Sequence, residues 1–159
     1  PSTVGWQKKM IAEHRQGLLS PRNAIELEDG TIVTGKTSAL LGAASAALIN
    51  ALKYVCHFSK ETMLLSPNII EPVQKLKIEY LGNNNPRLHI DEVLVALTIS
   101  AQMNPVAAEA IRALPKLRGA QAHSTVILSQ VDSGTLKKLG IMVTCEPHYQ
   151  TKKLFHPSK

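Results

Sequence analysis

Apolar and polar positions alternate along Ala24-Ile25-Glu26-Leu27-Glu28, the period of a half-buried strand. Asp29-Gly30 then reads as a tight turn, and the β-branched run Thr31-Ile32-Val33-Thr34 as the returning strand of a hairpin. Beyond it the period becomes helical: Leu40, Leu41, Leu48, Ile49, Leu52 and Val55 share a face, with Thr37 or Ser38 as the expected cap. The middle of this helix, Gly42 to Ala47, is small, so its backbone can lie close to a sheet, a second helix or a ligand; close packing is the commoner reason. Met63-Leu64-Leu65 predicts a short buried strand ended by Ser66-Pro67. A helix over 68–80 follows, with Ile69, Val73, Leu76 and Tyr80 on one face and Leu81-Gly82 as its stop. Asn83 to Arg87 is a loop. Asp91 is the expected cap of an apolar, buried helix over 92–103, and Asn104-Pro105 opens another that ends near Leu114-Pro115. Residues 116–121 are a polar connection. Ser124 to Leu128 predicts a central strand, Asp132 or Ser133 a capped short helix stopped at Gly140, and Ile141 to Cys145 the last strand. Strands separated by helices predict an α/β fold, a three-layer α/β/α sandwich whose mixed sheet is opened by a β-hairpin.

Composition narrows the class. The chain has 159 residues, 44% of them hydrophobic, which suits one domain with a sizeable core. Aromatics are only 4%, so that core must be built from Leu, Ile, Val and Ala. No apolar run approaches a membrane span, and the start lacks the basic and apolar regions of a signal peptide. The first residue is Pro1 rather than Met, so a fragment of a longer chain is expected. Cys56 and Cys145 are too few for a disulfide scaffold and read as reduced thiols of a cytoplasmic protein. The net charge of +6 sits at the two ends. Residues 1–22 hold Lys8, Lys9, Arg15 and Arg22 against Glu13, and residues 148–159 hold Lys152, Lys153 and Lys159 with no acid. The stretch between is neutral, so solvated arms are expected rather than a nucleic-acid surface. The expected organisation is therefore a polar arm or short helix (7–16) within 1–22, a single α/β domain over 23–147, and a basic tail over 148–159.

One motif demands weighing. Gly30 to Thr37 matches the phosphate-loop pattern G-x-x-x-x-G-K-[ST] literally, between a strand and a helix. Its four central residues are Thr, Ile, Val and Thr, which suit extended strand and not a loop that wraps phosphate with backbone N–H groups. No convincing second acidic motif accompanies it. Gly35-Lys36-Thr37-Ser38 nonetheless stands where a strand is expected to hand over to a helix, a place that favours an anion. Asn85, Arg87, His89, Asp91 and Glu92 gather around a loop and a helix start. Arg87 and His89 could hold a phosphate or carboxylate, and His89 beside Asp91 is the one tempting acid–base group, although caps and a local ion pair explain the same residues. Lys116, Arg118 and His123 could complete a basic pocket with Lys36. No metal site, no Gly-x-Ser-x-Gly elbow and no deaminase zinc signature is present, and no cofactor is identifiable.

Long ordered blocks carry a family likeness: Glu28 to Ser38, Leu41-Gly42-Ala43, Glu71 to Lys77, Glu79 to Gly82, Asn85 to His89, Asp91 to Leu94, Leu114 to Gly119, His123 to Leu128 and Thr144 to Pro147. Over residues 24–147 the chain resembles the C-terminal part of the uncharacterised bacterial family DUF1846, also called UPF0371. The resemblance implies a longer parent chain with a nucleotide-fold-like region ahead of this one. It also implies an α/β/α unit whose hairpin–helix–strand opening is similar to the cytidine deaminase fold, without that fold's zinc ligands. It implies no activity.

Together these readings lead to an expectation of a domain of a larger cytoplasmic protein that binds a small anionic molecule, a nucleotide or phosphorylated metabolite. The residues expected to do so are Lys36, Thr37, Ser38, Arg87, His89, Lys116 and Arg118. The rival expectation is a structural or assembly domain whose small-residue helix packs against another domain or subunit, a homo-oligomer included. A phosphate-loop NTPase ranks behind both.

Overall fold

The structure, a computed structural model, describes residues 21–146. The expected helix over 7–16 and the basic tail lie outside the described residues. Strands β1 (Arg22–Glu26) and β2 (Ile32–Lys36) form the expected antiparallel hairpin, with Ile25 opposite Val33 and Asn23 opposite Gly35. Gly30 takes a left-handed φ of 86° in the turn, which only glycine adopts without strain. Asp29 fixes that turn, its carboxylate accepting from the Thr31 N–H at 2.9 Å and from the Tyr54 hydroxyl at 2.9 Å. The Gly30–Thr37 tract is therefore turn and strand, with no phosphate-wrapping loop.

Helix α1 (Ala43–Val55) follows. Then come α2 (Pro67–Lys75), which runs on into a π-helical turn Leu76–Tyr80, α3 (Ile90–Ser100) and α4 (Pro105–Arg112). A 3-10 turn (Leu114–Leu117) leads to β3 (Gln121–Ser124), α5 (Gln130–Lys138) and β4 (Met142–Cys145). The sheet order is β2-β1-β3-β4, with β1 antiparallel to both neighbours and β3 parallel to β4. The fold is α/β with a mixed sheet opened by a hairpin, as the element order predicts.

One continuous core joins Ile25, Leu27 and Ala122 of the sheet to the helices. The small residues of α1 serve close packing. Ala47, Leu48, Ala51 and Leu52 are fully buried, and a Cβ on Gly35 would stand 2.2 Å from the Ala47 nitrogen. Helix backbone thus rests directly on strand backbone.

Several local expectations are corrected. Met63–Leu65 is not a strand, because among the described residues no strand lies beside it to pair with; Leu64 and Leu65 form a buried bend, while Met63 is exposed. In α2 the buried residue is Ile70, and Ile69, Leu76 and Tyr80 face solvent. The π turn widens the helix there and brings Lys77 inward instead. Helix α3 buries Val93, Ala96 and Leu97 but exposes Val95 and Ile99, so it is half a surface helix. Strand β3 ends at Ser124, because Thr125 turns away to bond the Arg22 backbone through its hydroxyl. The caps also move. Neither Thr37 nor Ser38 caps α1, which begins only at Ala43, and Ser38 instead accepts from the Leu40 and Leu41 N–H groups. Asp91 is exposed, and Glu92 accepts the His89 N–H at the start of α3. Ser129, not Asp132 or Ser133, caps α5. Among the described residues no helix is long and apolar enough to cross a membrane.

Candidate ligand-binding cleft

The starts of three helices converge on one cleft. Gly42, Ala43 and Ala44 come from α1, His89 from the start of α3, and Ser129 and Asp132 from α5. Thr37, Asn85 and Arg87 flank them, and Val126 to Leu128 form an apolar wall beyond Ser124 at the end of β3.

A helix leaves its first N–H groups without internal partners, so each start must be satisfied from outside. At α5 the Ser129 hydroxyl accepts from Asp132 N–H at 3.1 Å. At α3 Glu92 accepts from His89 N–H at 2.8 Å, and Asp132 accepts from Ile90 N–H at 2.9 Å. Helix α1 has Gly42 at its cap position, and no side chain bonds there. The Ala43 and Ala44 N–H groups find no acceptor among the described residues.

The basic side chains of Arg87 and His89 stand beside this open end. The Arg87 Nε donates to the Ser38 carbonyl, and its backbone is held by Asn85 Oδ1 and by Lys77 Nζ. No carboxylate of the described residues pairs with Arg87. Lys77 is nearly fully buried and pairs with Glu92 at 2.8 Å, so the Arg87–His89 loop hangs on an internal ion pair. His89 Nδ1 lies 3.4 Å from Asp132 Oδ2, and its Nε2 is left without a partner among the described residues. The Asp132 hydrogen bond raises the His89 pKa above the ordinary imidazole value, with burial opposing it.

Asn23 adds a further unmatched group. It is 0% exposed, and neither its amide nitrogen nor its amide oxygen has a partner among the described residues. It sits in register between Gly35, on which the first turn of α1 rests, and Ser124, which lines the cleft.

Of the residues expected from sequence, Thr37, Arg87 and His89 line the cleft. Ser38 borders it through its carbonyl on Arg87. Lys36 does not line it: Gly35 faces α1, so its neighbour points to the opposite face of the sheet, where it is exposed. Lys116 lies toward Cys56, Glu109 and Arg112, and Arg118 lies against Gly140; neither lines the cleft. His123 is buried on the sheet face opposite the α1 core, bonded to Thr144 at 2.6 Å and Glu146 at 3.0 Å. Sequence reasoning missed the open start of α1 and the double role of Asp132. The spacing Ser129-x-x-Asp132 is a capping-box pattern and could have assigned the cap to Ser129, freeing Asp132 for another task. No group of three or more His, Cys, Asp or Glu among the described residues could hold a metal ion.

Comparisons with known proteins agree on the family. Residues 7–155 match the model described as domain of unknown function DUF1846, C-terminal. A UPF0371 protein of Corynebacterium efficiens is 53% identical over 136 residues, 86% of this chain. One from Corynebacterium urealyticum is 50% identical over 90% of the chain, and one from Streptococcus pneumoniae serotype 19F is 50% identical over 85%. The chain spans about 28% of the length of these relatives. A family model that takes in nearly the whole chain, together with half-identical relatives, means that this chain belongs to the DUF1846 (UPF0371) family and corresponds to its C-terminal domain.

Proposed function

We propose that this domain binds a small anionic molecule in the cleft at the start of α1. One observation carries the reading: α1 presents two unaccepted N–H groups to the same cleft as Arg87, a guanidinium with no carboxylate partner among the described residues. Helix starts carry partial positive charge and point donors outward, which favours an anion. Thr37 and Asn85 supply neutral polar contacts, and Val126 to Leu128 a surface for an apolar portion of the ligand. The test is the thermal stability of the full chain with inorganic phosphate, nucleotides and sugar phosphates, with and without magnesium. A binding compound raises Tm, by an amount equivalent to about 2.7 kcal/mol at a hundredfold excess over Kd, and Arg87→Ala abolishes the shift. No shift with any compound, or an equal shift in Arg87→Ala, overturns the proposal.

A second reading, an assembly surface, is favoured by a different observation. Val95 and Ile99 stand one turn apart on α3, Met103 follows in the turn just beyond its end, and the three are 60%, 67% and 93% exposed. An apolar row of this kind suits a homo-oligomer. Sedimentation of the chain tests it: association is expected and is lost in Ile99→Glu, whereas a monomer at high concentration sinks the idea.

A further inference from the structure

Given an anion in that cleft, its chemistry can be narrowed by counting charges and donors. Arg87 supplies one positive charge and a planar fork of N–H donors, of which Nε alone has a partner among the described residues. The α1 start adds about half a positive charge and the Ala43 and Ala44 N–H groups. His89 can add a second full charge and one donor, Nε2–H, because Asp132 occupies its Nδ1 side. Asp132 contributes one negative charge, and the Lys77–Glu92 pair behind the loop cancels internally. These are the titratable groups that face His89 from α3, α5, the π turn and the loop. With His89 neutral, the charges nearly cancel and suit a monoanion at most. With His89 protonated, an excess of more than one positive charge remains, and three separate donor sets surround one place. A carboxylate offers two oxygens, whereas a phosphoryl group offers three and carries two charges near neutral pH.

We infer that the cleft takes a phosphoryl dianion in preference to a carboxylate, with His89 bound in its cationic form so that binding takes up a proton. The inference rests on the anion-binding reading above. The unbonded amide of Asn23 leaves a further donor unmatched on this side of the sheet. The raised pKa of His89 agrees with the geometry, since Asp132 already favours the cation. Inorganic phosphate and a phosphomonoester share this chemistry, and the apolar wall of Val126 to Leu128 favours the ester.

The experiment is titration calorimetry of the full chain with inorganic phosphate, phenyl phosphate and benzoate. It is run at a series of pH values from the ordinary imidazole value to about two units above it, in two buffers of different ionisation enthalpy, so that uptake is read where His89 of the free chain has lost its proton. Both phosphates are expected to bind with net proton uptake and benzoate at least about tenfold more weakly. Tighter binding of phenyl phosphate assigns the ester; equal binding supports the class with free phosphate as its source. His89→Gln is expected to keep binding, about tenfold weakened, and to lose proton uptake. Uptake by the unmodified chain is read in the same titration, so the result does not depend on the variant's folding. Benzoate binding as tightly as phenyl phosphate, or phosphate binding without proton uptake, overturns this inference and leaves the anion site standing. No binding by any of the three probes overturns the anion site itself.

Discussion

Helices α1 and α4 are both rich in alanine, and they begin in opposite ways. Helix α4 is closed by its own sequence: Asn104 accepts from Val106 N–H at 3.0 Å, and Pro105 has no N–H to satisfy. Helix α1 starts at Gly42, which has no side chain to offer, and its first donors face a cleft instead of solvent. Capping costs a sequence almost nothing, since Ser, Asn or Asp at the cap position stabilises by about 1 kcal/mol. The start of α4 is thus closed by its own sequence, whereas that of α1 is left open beside Arg87 and His89, which is why the proposed anion site is placed there.

The comparison is broken most severely by unseating α1 altogether. In Gly35→Ala the new methyl would stand 2.2 Å from the Ala47 nitrogen and 2.7 Å from the Ala43 carbonyl oxygen, both of them backbone atoms. Neither strand nor helix can yield cheaply, so a loss of about 3 kcal/mol is expected, the upper part of the usual range for overpacking. Urea denaturation with an unchanged slope and a lower midpoint is the check. A midpoint equal to wild type would mean that the helix is not held by this contact. Asp132→Ala comes next. It strips the acceptor from the buried Ile90 N–H and the partner from His89, with an expected cost of about 2 kcal/mol. The same variant should drop the His89 pKa toward the free imidazole value, read by proton NMR of the ring.

Exchanging the two helix ends sharpens the contrast directly. Asn104→Ala should cost about 1 kcal/mol and leave phosphate binding intact. Gly42→Ser should do the reverse. The backbone at Gly42 is extended, with φ −68°, and a Cβ there meets only the Leu88 carbonyl at 3.8 Å, so a serine fits. Its hydroxyl would cap the free N–H groups, raising stability by a few tenths of a kcal/mol and weakening phosphate binding. If Gly42→Ser binds phosphate as well as wild type, the open end of α1 is not the ligand's acceptor site.

Sequence made the local features legible and left the convergent ones hidden. The Asp29-Gly30 hairpin, the Asn104-Pro105 start and the stop at Gly140 each depend on neighbours within a few residues, and each stands as predicted. Three apolar residues at Met63–Leu65 cannot distinguish a strand from a buried bend, because that depends on whether a pairing partner exists. Strand β3 was placed too late along the chain because Gln121, Ala122 and His123 have little strand character, while Val126 to Leu128 have much. At the site, Arg87 and His89 are a charged and a titratable group next to a predicted helix start and could be named. Lys36 is expected at a handover from strand to helix, but it still lies in β2, one step of alternation beyond Gly35, and so faces away from α1. The open end of α1 was masked by Leu40 and Leu41, whose spacing extends the helical pattern past its true start at Ala43.

The smallest expected effect is the dependence of stability on pH through His89. Its folded pKa is raised above 6.5, chiefly by the hydrogen bond that it donates to Asp132. A raised value means that the folded chain holds the proton more tightly than the unfolded one. The pair's contribution is therefore fully present below the unfolded value of about 6.5 and is lost as pH rises through the higher folded value. His89 is about one third exposed, so solvent screens the pair and the change is modest. Comparison of denaturation midpoints for wild type and Asp132→Asn across that window isolates it: the wild-type advantage should shrink as pH rises. A bound phosphoryl group would push the loss to still higher pH, because it accepts from the Nε2–H of the same imidazolium ring that Asp132 holds at Nδ1. A difference between the two proteins that stays constant with pH would show that Asp132 serves only the Ile90 N–H, and that His89 enters the cleft uncharged.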